Sequence, residues 1–243
     1  MPLQKQKRDL MRLRDGRAGG FTLIEAMVGL LILTLITAAI FSLLNRVQVA
    51  SASESSKLDL TQEAREFADQ IVRDIHMAGY PKLTMYSPPL PNSSPLVAAG
   101  LVLVSPTEIL LEGDVETSGT VDSVDIQYVP QDPADKNCPC LRRTETSKGA
   151  ATAAISSTEV DHLMPPGSGP GQSGEDMFAF FDKNGNPVNV AGGVDTSTAG
   201  GQSTIDSIQT VKINLNLFSA AVDPASNKAQ RISLSVTGHL NKY

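Results

Sequence analysis

The sequence predicts an α+β protein in which a long N-terminal helix, apolar in its first half and amphipathic in its second, packs on an antiparallel β-sheet head. Three observations carry this. An apolar run extends from Phe21 to Leu44 with one charge in it, Glu25. A stripe at helical spacing follows from Leu60 to Ala78, with no Pro or Gly anywhere between Asn45 and Ala78. After Gly100, short segments alternate apolar and polar residues with the period of two that marks a half-covered strand.

The first element, residues 1–20, is a basic leader. Lys5, Lys7, Arg8, Arg12, Arg14 and Arg17 stand against Asp9 and Asp15, giving +4, so the formal −6 of the whole chain leaves −10 from Phe21 onward. Basic residues before an apolar helix hold that end in the cytoplasm, which places the acidic remainder across the membrane. An acidic head has no electrostatic footprint for nucleic acid, and no direct nucleic-acid contact is expected. Two starts fit the leader: Met1, or Met11, which would leave MRLRDGRAGG.

The second element, residues 21–44, is about 36 Å of helix at 1.5 Å per residue, enough to cross a bilayer. A carboxylate near one end of such a helix is costly in lipid and is functional by default, which singles out Glu25. The third element, residues 45–79, presents Leu60, Ala64, Phe67, Ile71, Ile75 and Ala78 on one side, with the charged residues on the others. Gly79 and Pro81 end it. The alternative is two helices broken within residues 50–56, where small and polar residues cluster. At the end of the stripe, Ile75 and Ala78 are expected to face inward, with Arg73 and Asp74 solvated.

The head, residues 80–243, opens on a Pro- and Ser-rich loop from Tyr80 to Gly100. Strands are expected at Leu101–Val104, Glu108–Glu112, Ser123–Val129, Leu141–Glu145, Met177–Asp182, Thr210–Phe218 and Arg231–Leu240. Val211, Ile213, Leu215 and Leu217 face one way, and Ile232, Leu234 and Val236 repeat the pattern. The expected arrangement is a single sheet covered by the Leu60–Ala78 stripe, with residues 146–175 and 189–206 as loops.

The junction Gly-Phe-Thr-Leu-Ile-Glu, Gly20 to Glu25, resembles the processing site of type IV prepilins. That resemblance implies a pilin-like fold, cleavage by prepilin peptidase between Gly20 and Phe21, and N-methylation of Phe21. It also implies a role in assembly for Glu25, pairing with the N-terminal amine of a neighbouring subunit. The segment from Glu66 to Tyr80 is similar to the end of the long helix in PilW-type minor pilins, through Arg73, Asp74, Ile75, Met77, Ala78, Gly79 and Tyr80, with His76 departing from the pattern. The implied function is that of a minor pilin of a type IV pilus, or of its priming or tip complex. The implied partners are prepilin peptidase, other major and minor pilins, and the inner membrane before assembly. The implied location is a single-pass inner-membrane precursor with a periplasmic head, then the pilus at the cell surface. The alternative is a minor pseudopilin of a type II secretion system. From a different class, an uncleaved signal-anchored periplasmic binding protein shares the basic flank and the apolar helix.

Cys138 and Cys140 form Cys-Pro-Cys. A local or intermolecular disulfide, a pair of free thiols and a metal half-site all fit this spacing, and the first suits an oxidising compartment. Asp182, Asn184 and Asn186 alternate like the start of a calcium loop. The glycine falls at Gly185 and no closing Glu follows, so a hairpin turn is the better reading. There is no HExxH, GxSxG, Walker loop or redox CxxC, so neither an enzyme nor a cofactor is expected.

Overall fold

The structure is a computed structural model that describes residues 20–131, 138–148, 156–167, 170–223 and 228–241. The chain divides into two compact units, Met1–Val49 and Ala50–Tyr243. Helix α1 runs over Leu23–Met77 without interruption through residues 50–56, where a break was the alternative. Its last turn hands over to Gly79, whose φ of +85° is open to glycine at little cost, and Tyr80 N–H returns to the Met77 carbonyl at 3.1 Å.

Within the second unit the expected stripe is the packed face of α1. Ala64, Ile71 and Ile75 are fully buried, and Leu60, Phe67 and Ala78 nearly so, in one apolar core with the strands. The expected strands all form: β1 Gly100–Val104, β2 Glu108–Gly113, β3 Asp122–Val129, β4 Cys140–Ser147, β6 Phe178–Asp182, β9 Ile208–Asp223 and β10 Lys228–His239. Every pairing is antiparallel.

The single sheet is a point of correction. Among the described residues the head has two sheets, and with β5 (Ser156–Val160), β7 (Pro187–Val188) and β8 (Val194–Asp195) their strand orders are β5-β4-β3-β2-β1-β8 and β10-β9-β6-β7. Periodicity tells which face of a strand is apolar but not which strand lies beside it. The last turns of α1 are fastened to both sheets: Ala78 bridges Gly113 of β2, and Ile75 fills the space over Gly238 of β10. One passage between the sheets runs through residues 162–164. Leu163 N–H bonds the Pro139 carbonyl at 3.0 Å, Met164 N–H the Asn216 carbonyl at 2.7 Å, and the His162 carbonyl accepts Phe218 N–H at 2.9 Å.

The expected loops also carry regular structure. β5 (Ser156–Val160) lies in the first, and β8 (Val194–Asp195) and helix α2 (Ala199–Ser207) in the second, while a short 3-10 turn at Leu83–Met85 interrupts the Pro-rich loop. Local composition hides α2, because its sequence is AGGQSTIDS. It stands on a Thr198 cap, whose hydroxyl accepts Gly201 N–H at 3.0 Å, and on buried Ile205. β7 (Pro187–Val188) completes the hairpin predicted at Asn184-Gly185, with Gly185 at φ +80°.

Candidate functional site

The site begins where the polar leader meets the apolar run. Gly20 and Phe21 are exposed, Phe21 to 85%, so the peptide bond between them is open to another protein. Thr22 and Glu25 fasten the start of α1 together. Thr22 N–H donates to Glu25 Oε2 at 3.2 Å, and Glu25 N–H donates to Thr22 Oγ1 at 3.2 Å. This is a reciprocal capping box, and it satisfies two donors that a helix start leaves orphaned. Thr22 is a capping residue that the sequence reasoning missed. The Thr-x-x-Glu spacing at 22–25, just ahead of an apolar run, was the available signal.

From Phe21 to Val49 the apolar side chains remain uncovered: Leu23 is 79% exposed, Ile24 70% and Phe41 67%. The helix has the length and composition to cross a membrane, and its apolar window has no protein packed over it. A surface this apolar on all sides is stable only in lipid or among other apolar helices. Thr34 and Thr37, inside the run, return their hydroxyls to the Leu31 and Leu33 carbonyls at 2.8 and 2.7 Å, so neither presents an unmade hydrogen bond to lipid.

At the other end of α1, Asp74 is not solvated as expected. It is 4% exposed and receives Arg143 Nε at 2.6 Å and Nη2 at 3.3 Å, while Arg143 Nη1 lies 2.8 Å from Glu145 Oε2. Burial pushes the Asp74 carboxyl up, and the hydrogen bond and charge of Arg143 pull against it. A carboxylate can sit there because β4 brings a guanidinium to meet it, 69 residues along the chain. No local pattern marks Arg143 as that partner. Arg73 alone of the two is exposed, as expected.

The rest of the Arg73–Tyr80 segment is equally committed. Gly79 N–H bonds the Glu112 carbonyl at 2.9 Å, and the Tyr80 carbonyl accepts Asp114 N–H at 2.9 Å. The Pro-rich loop is strapped down by Lys148, whose Nζ donates to the Asn92 and Val97 carbonyls at 2.6 and 2.8 Å and to Glu112 Oε2 at 2.6 Å. Lys148 and Glu112 are two further positioning residues with no signature in the sequence.

Cys138 and Cys140 are joined by a disulfide across Pro139, with Cα atoms 4.3 Å apart and both residues buried. The Pro139 carbonyl between them receives Leu163 N–H, so the bond borders the passage from one sheet to the other. Asp182 holds the β6–β7 turn: Oδ1 accepts the N–H groups of Asn184 and Asn186, each at 2.8 Å, and Oδ2 accepts Asn186 Nδ2 at 3.0 Å. These bonds hold its carboxyl below the ordinary range and occupy the oxygens that a calcium ion would need. Among the described residues no cluster of three or more His, Cys, Asp or Glu side chains is arranged to hold a metal.

Comparison with known proteins matches residues 16–41 to the prokaryotic N-terminal methylation motif, a stretch that contains Gly20, Phe21, Thr22 and Glu25. No curated protein and no solved structure matches the chain. The motif implies processing by prepilin peptidase and assembly with other pilins, and together with the apolar helix behind it fits an anchor in the inner membrane. The chain therefore carries the N-terminal signature of type IV pilin-like proteins and pseudopilins on a long helix packed against antiparallel sheets.

Proposed function

We propose that the protein is a PilW-like minor pilin of a type IV pilus, built into the pilus or into the priming or tip complex that starts it. The precursor is held in the inner membrane with its head in the periplasm. Prepilin peptidase cuts between Gly20 and Phe21, and Phe21 is methylated. The helix from Phe21 onward then leaves lipid and packs among the helices of neighbouring subunits, with Glu25 meeting the amine of one of them. In a low-dielectric bundle that pair sets axial register more than it adds stability.

The observation that supports the minor-pilin reading over the broader one is the Arg73–Tyr80 segment. Its resemblance to PilW-type minor pilins falls on residues that fasten α1 to its head: Asp74 to Arg143, Ile75 over Gly238, Ala78 against Gly113 and Gly79 to Glu112. A segment tied to β2, β4 and β10 at once belongs to a particular head and not to long pilin helices in general.

The test has two parts. Mass analysis of the N-terminus from the host is expected to find a chain that starts at methylated Phe21. A chain that keeps its leader, in cells whose other prepilins are trimmed, refutes the reading. Deletion of the gene is then expected to abolish or sharply reduce surface pili. Normal pili together with loss of exported enzymes from the medium would identify a type II pseudopilin instead.

A further inference from the structure

Strands β3 and β4 bury more negative charge than their neighbours neutralise. Asp122 opens β3 and Glu145 lies in β4, and each is 3% exposed. Asp122 is opposite Ser147 and Val124 is opposite Glu145, so the two carboxyl groups hold diagonal positions on one face of adjacent strands. The charge of Glu145 acts on the Asp122 carboxyl across this diagonal. One oxygen of Glu145 is matched with Arg143, and Ser147 donates a side-chain hydrogen bond to Asp122. That leaves Asp122 Oδ2 and Glu145 Oε1 buried, with no hydrogen-bond partner for either atom among the described residues.

The charged groups around the pair do not relieve it. From the β2–β3 turn come Asp114, which is committed to the N–H groups of Ser118 and Gly119 at 2.8 and 2.9 Å, and Glu116. From α1 come Asp74, with exposed Arg73 beside it, and His76, which lines the same cleft as Arg143 and Glu145. β2 sets Gly113 opposite Asp122, and its Glu112 lies at the alternate position, paired with Lys148. From β4, Arg143 is divided between Asp74 and Glu145. An unmade bond on a buried carboxylate oxygen is costly, and two of them face the same region. A single proton removes both deficits: placed on Asp122 it creates a donor, and Glu145 Oε1 is the vacant acceptor. Burial first, then Glu145, Glu116 and Asp114, push the Asp122 carboxyl from 3.8 up to about 6.

We propose that Asp122 is a proton-loaded latch: its neutral carboxyl donates to Glu145 and completes a chain Asp122–Glu145–Arg143–Asp74 from β3 through β4 to α1, and release of that proton loosens the joint between helix and head. The direction with pH follows from linkage. The folded state holds the proton more tightly than the unfolded chain, so the stabilisation is complete below 3.8 and is lost as pH rises through about 6.

The experiment compares the full chain in detergent micelles, with a chelator present, against Asp122→Asn, whose amide supplies a permanent donor to Glu145. Between pH 4 and pH 7 the unfolding constant of the wild type, relative to that of the variant, is expected to rise by up to about a hundredfold. A ratio that stays flat over this range overturns the proposal. Asp125→Asn, introduced into both proteins, is the control: Asp125 is also pushed up to about 6 but lies on the opposite face of β3, so the pH dependence of the ratio should survive its removal. Infrared spectra give an independent readout if Asp122→Asn fails to fold. In Asp125→Asn protein, the protonated-carboxyl stretch should contain a component that titrates away with a midpoint near pH 6. Absence of that component, or a requirement for calcium to stabilise the pair, overturns the proposal.

Discussion

Arg143 meets Asp74 through Nε at 2.6 Å, with the two side chains 2% and 6% exposed, and this contact ties the final turns of α1 to β4. Both charges have left water, so their attraction is set against a desolvation cost of several kcal/mol per ion. Such a pair adds modestly to net stability but fixes the placement of the elements that bear it, because neither partner can move without stranding the other.

Asp74→Ala should therefore destabilise the protein by about 3–5 kcal/mol, leaving a buried guanidinium with half its partners. Chemical denaturation followed by circular dichroism checks this. The triple variant Asp74→Leu/Arg143→Met/Glu145→Leu, which also removes the second carboxylate on that guanidinium, should recover most of the loss. Equal instability in the single and triple variants would show that the cost lies in packing and not in the stranded charge.

Gly113→Ala tests the closeness of α1 and β2. A Cβ there would stand 2.6 Å from the Met77 carbonyl oxygen, backbone against backbone, with no flexible side chain to yield. The expected loss is about 1–3 kcal/mol. Gly200→Ala is the contrast: nothing lies within 4 Å of its Cβ, and the substitution falls inside α2. It should be neutral or stabilising by up to about 1 kcal/mol.

Glu25 closes a capping box with Thr22 inside its own chain, and by resemblance it also serves a neighbour's amine. Glu25→Gln separates the two roles, since glutamine keeps the cap and loses the charge. Leader cleavage is expected to persist in both Glu25→Gln and Glu25→Ala, with piliation lost in both. Full piliation in Glu25→Gln would assign the residue to capping alone. Immunoblots of precursor and mature chain, with shear fractions of pili, read the two outcomes.

The Cys138–Cys140 bond closes a very small ring, so its effect on the unfolded chain is limited, on the order of 1–2 kcal/mol in the chain-entropy account. Reductant should lower the thermal midpoint by a few degrees, and Cys138→Ser/Cys140→Ser should show the lower midpoint without responding to reductant. Thiol counting on unreduced protein should find none.

Asp125 stands on β3 with Glu108 beside it. Burial first, then that charge, push its carboxyl up to about 6. Its contribution is again fully present below 3.8 and lost as pH rises through about 6, so Asp125→Asn should raise the melting temperature at pH 7.5 and not at pH 4.

The helix and the strands were legible because their signal is periodic and local. Ile71 and Ile75 are buried because they recur at helical spacing, and Val211 to Leu217 because they alternate. Helix α2 was illegible for the opposite reason: its residues favour loops, and it forms because the Thr198 cap and buried Ile205 hold it to the rest of the head. Asp74 was misjudged because a lone carboxylate beside an arginine on a helix reads as solvated, and its partner lies in another element.

By itself the sequence determined the prepilin-type motif that contains Gly20 and Phe21, the apolar run behind it, the packed stripe of α1 and the apolar face of each main strand. These are properties of neighbouring residues, set by charge order, hydropathy and the 3.6- and 2-residue repeats of the backbone. Only the tertiary structure decided that the strands divide into two sheets, that Asp74 is buried against Arg143, and that Asp122 and Glu145 are buried on one face of β3 and β4, each with one oxygen unmatched among the described residues. Those depend on which distant segments meet, and burial turns such meetings into strong forces: away from water, a charge must find a partner, a proton or a donor wherever the fold has placed one.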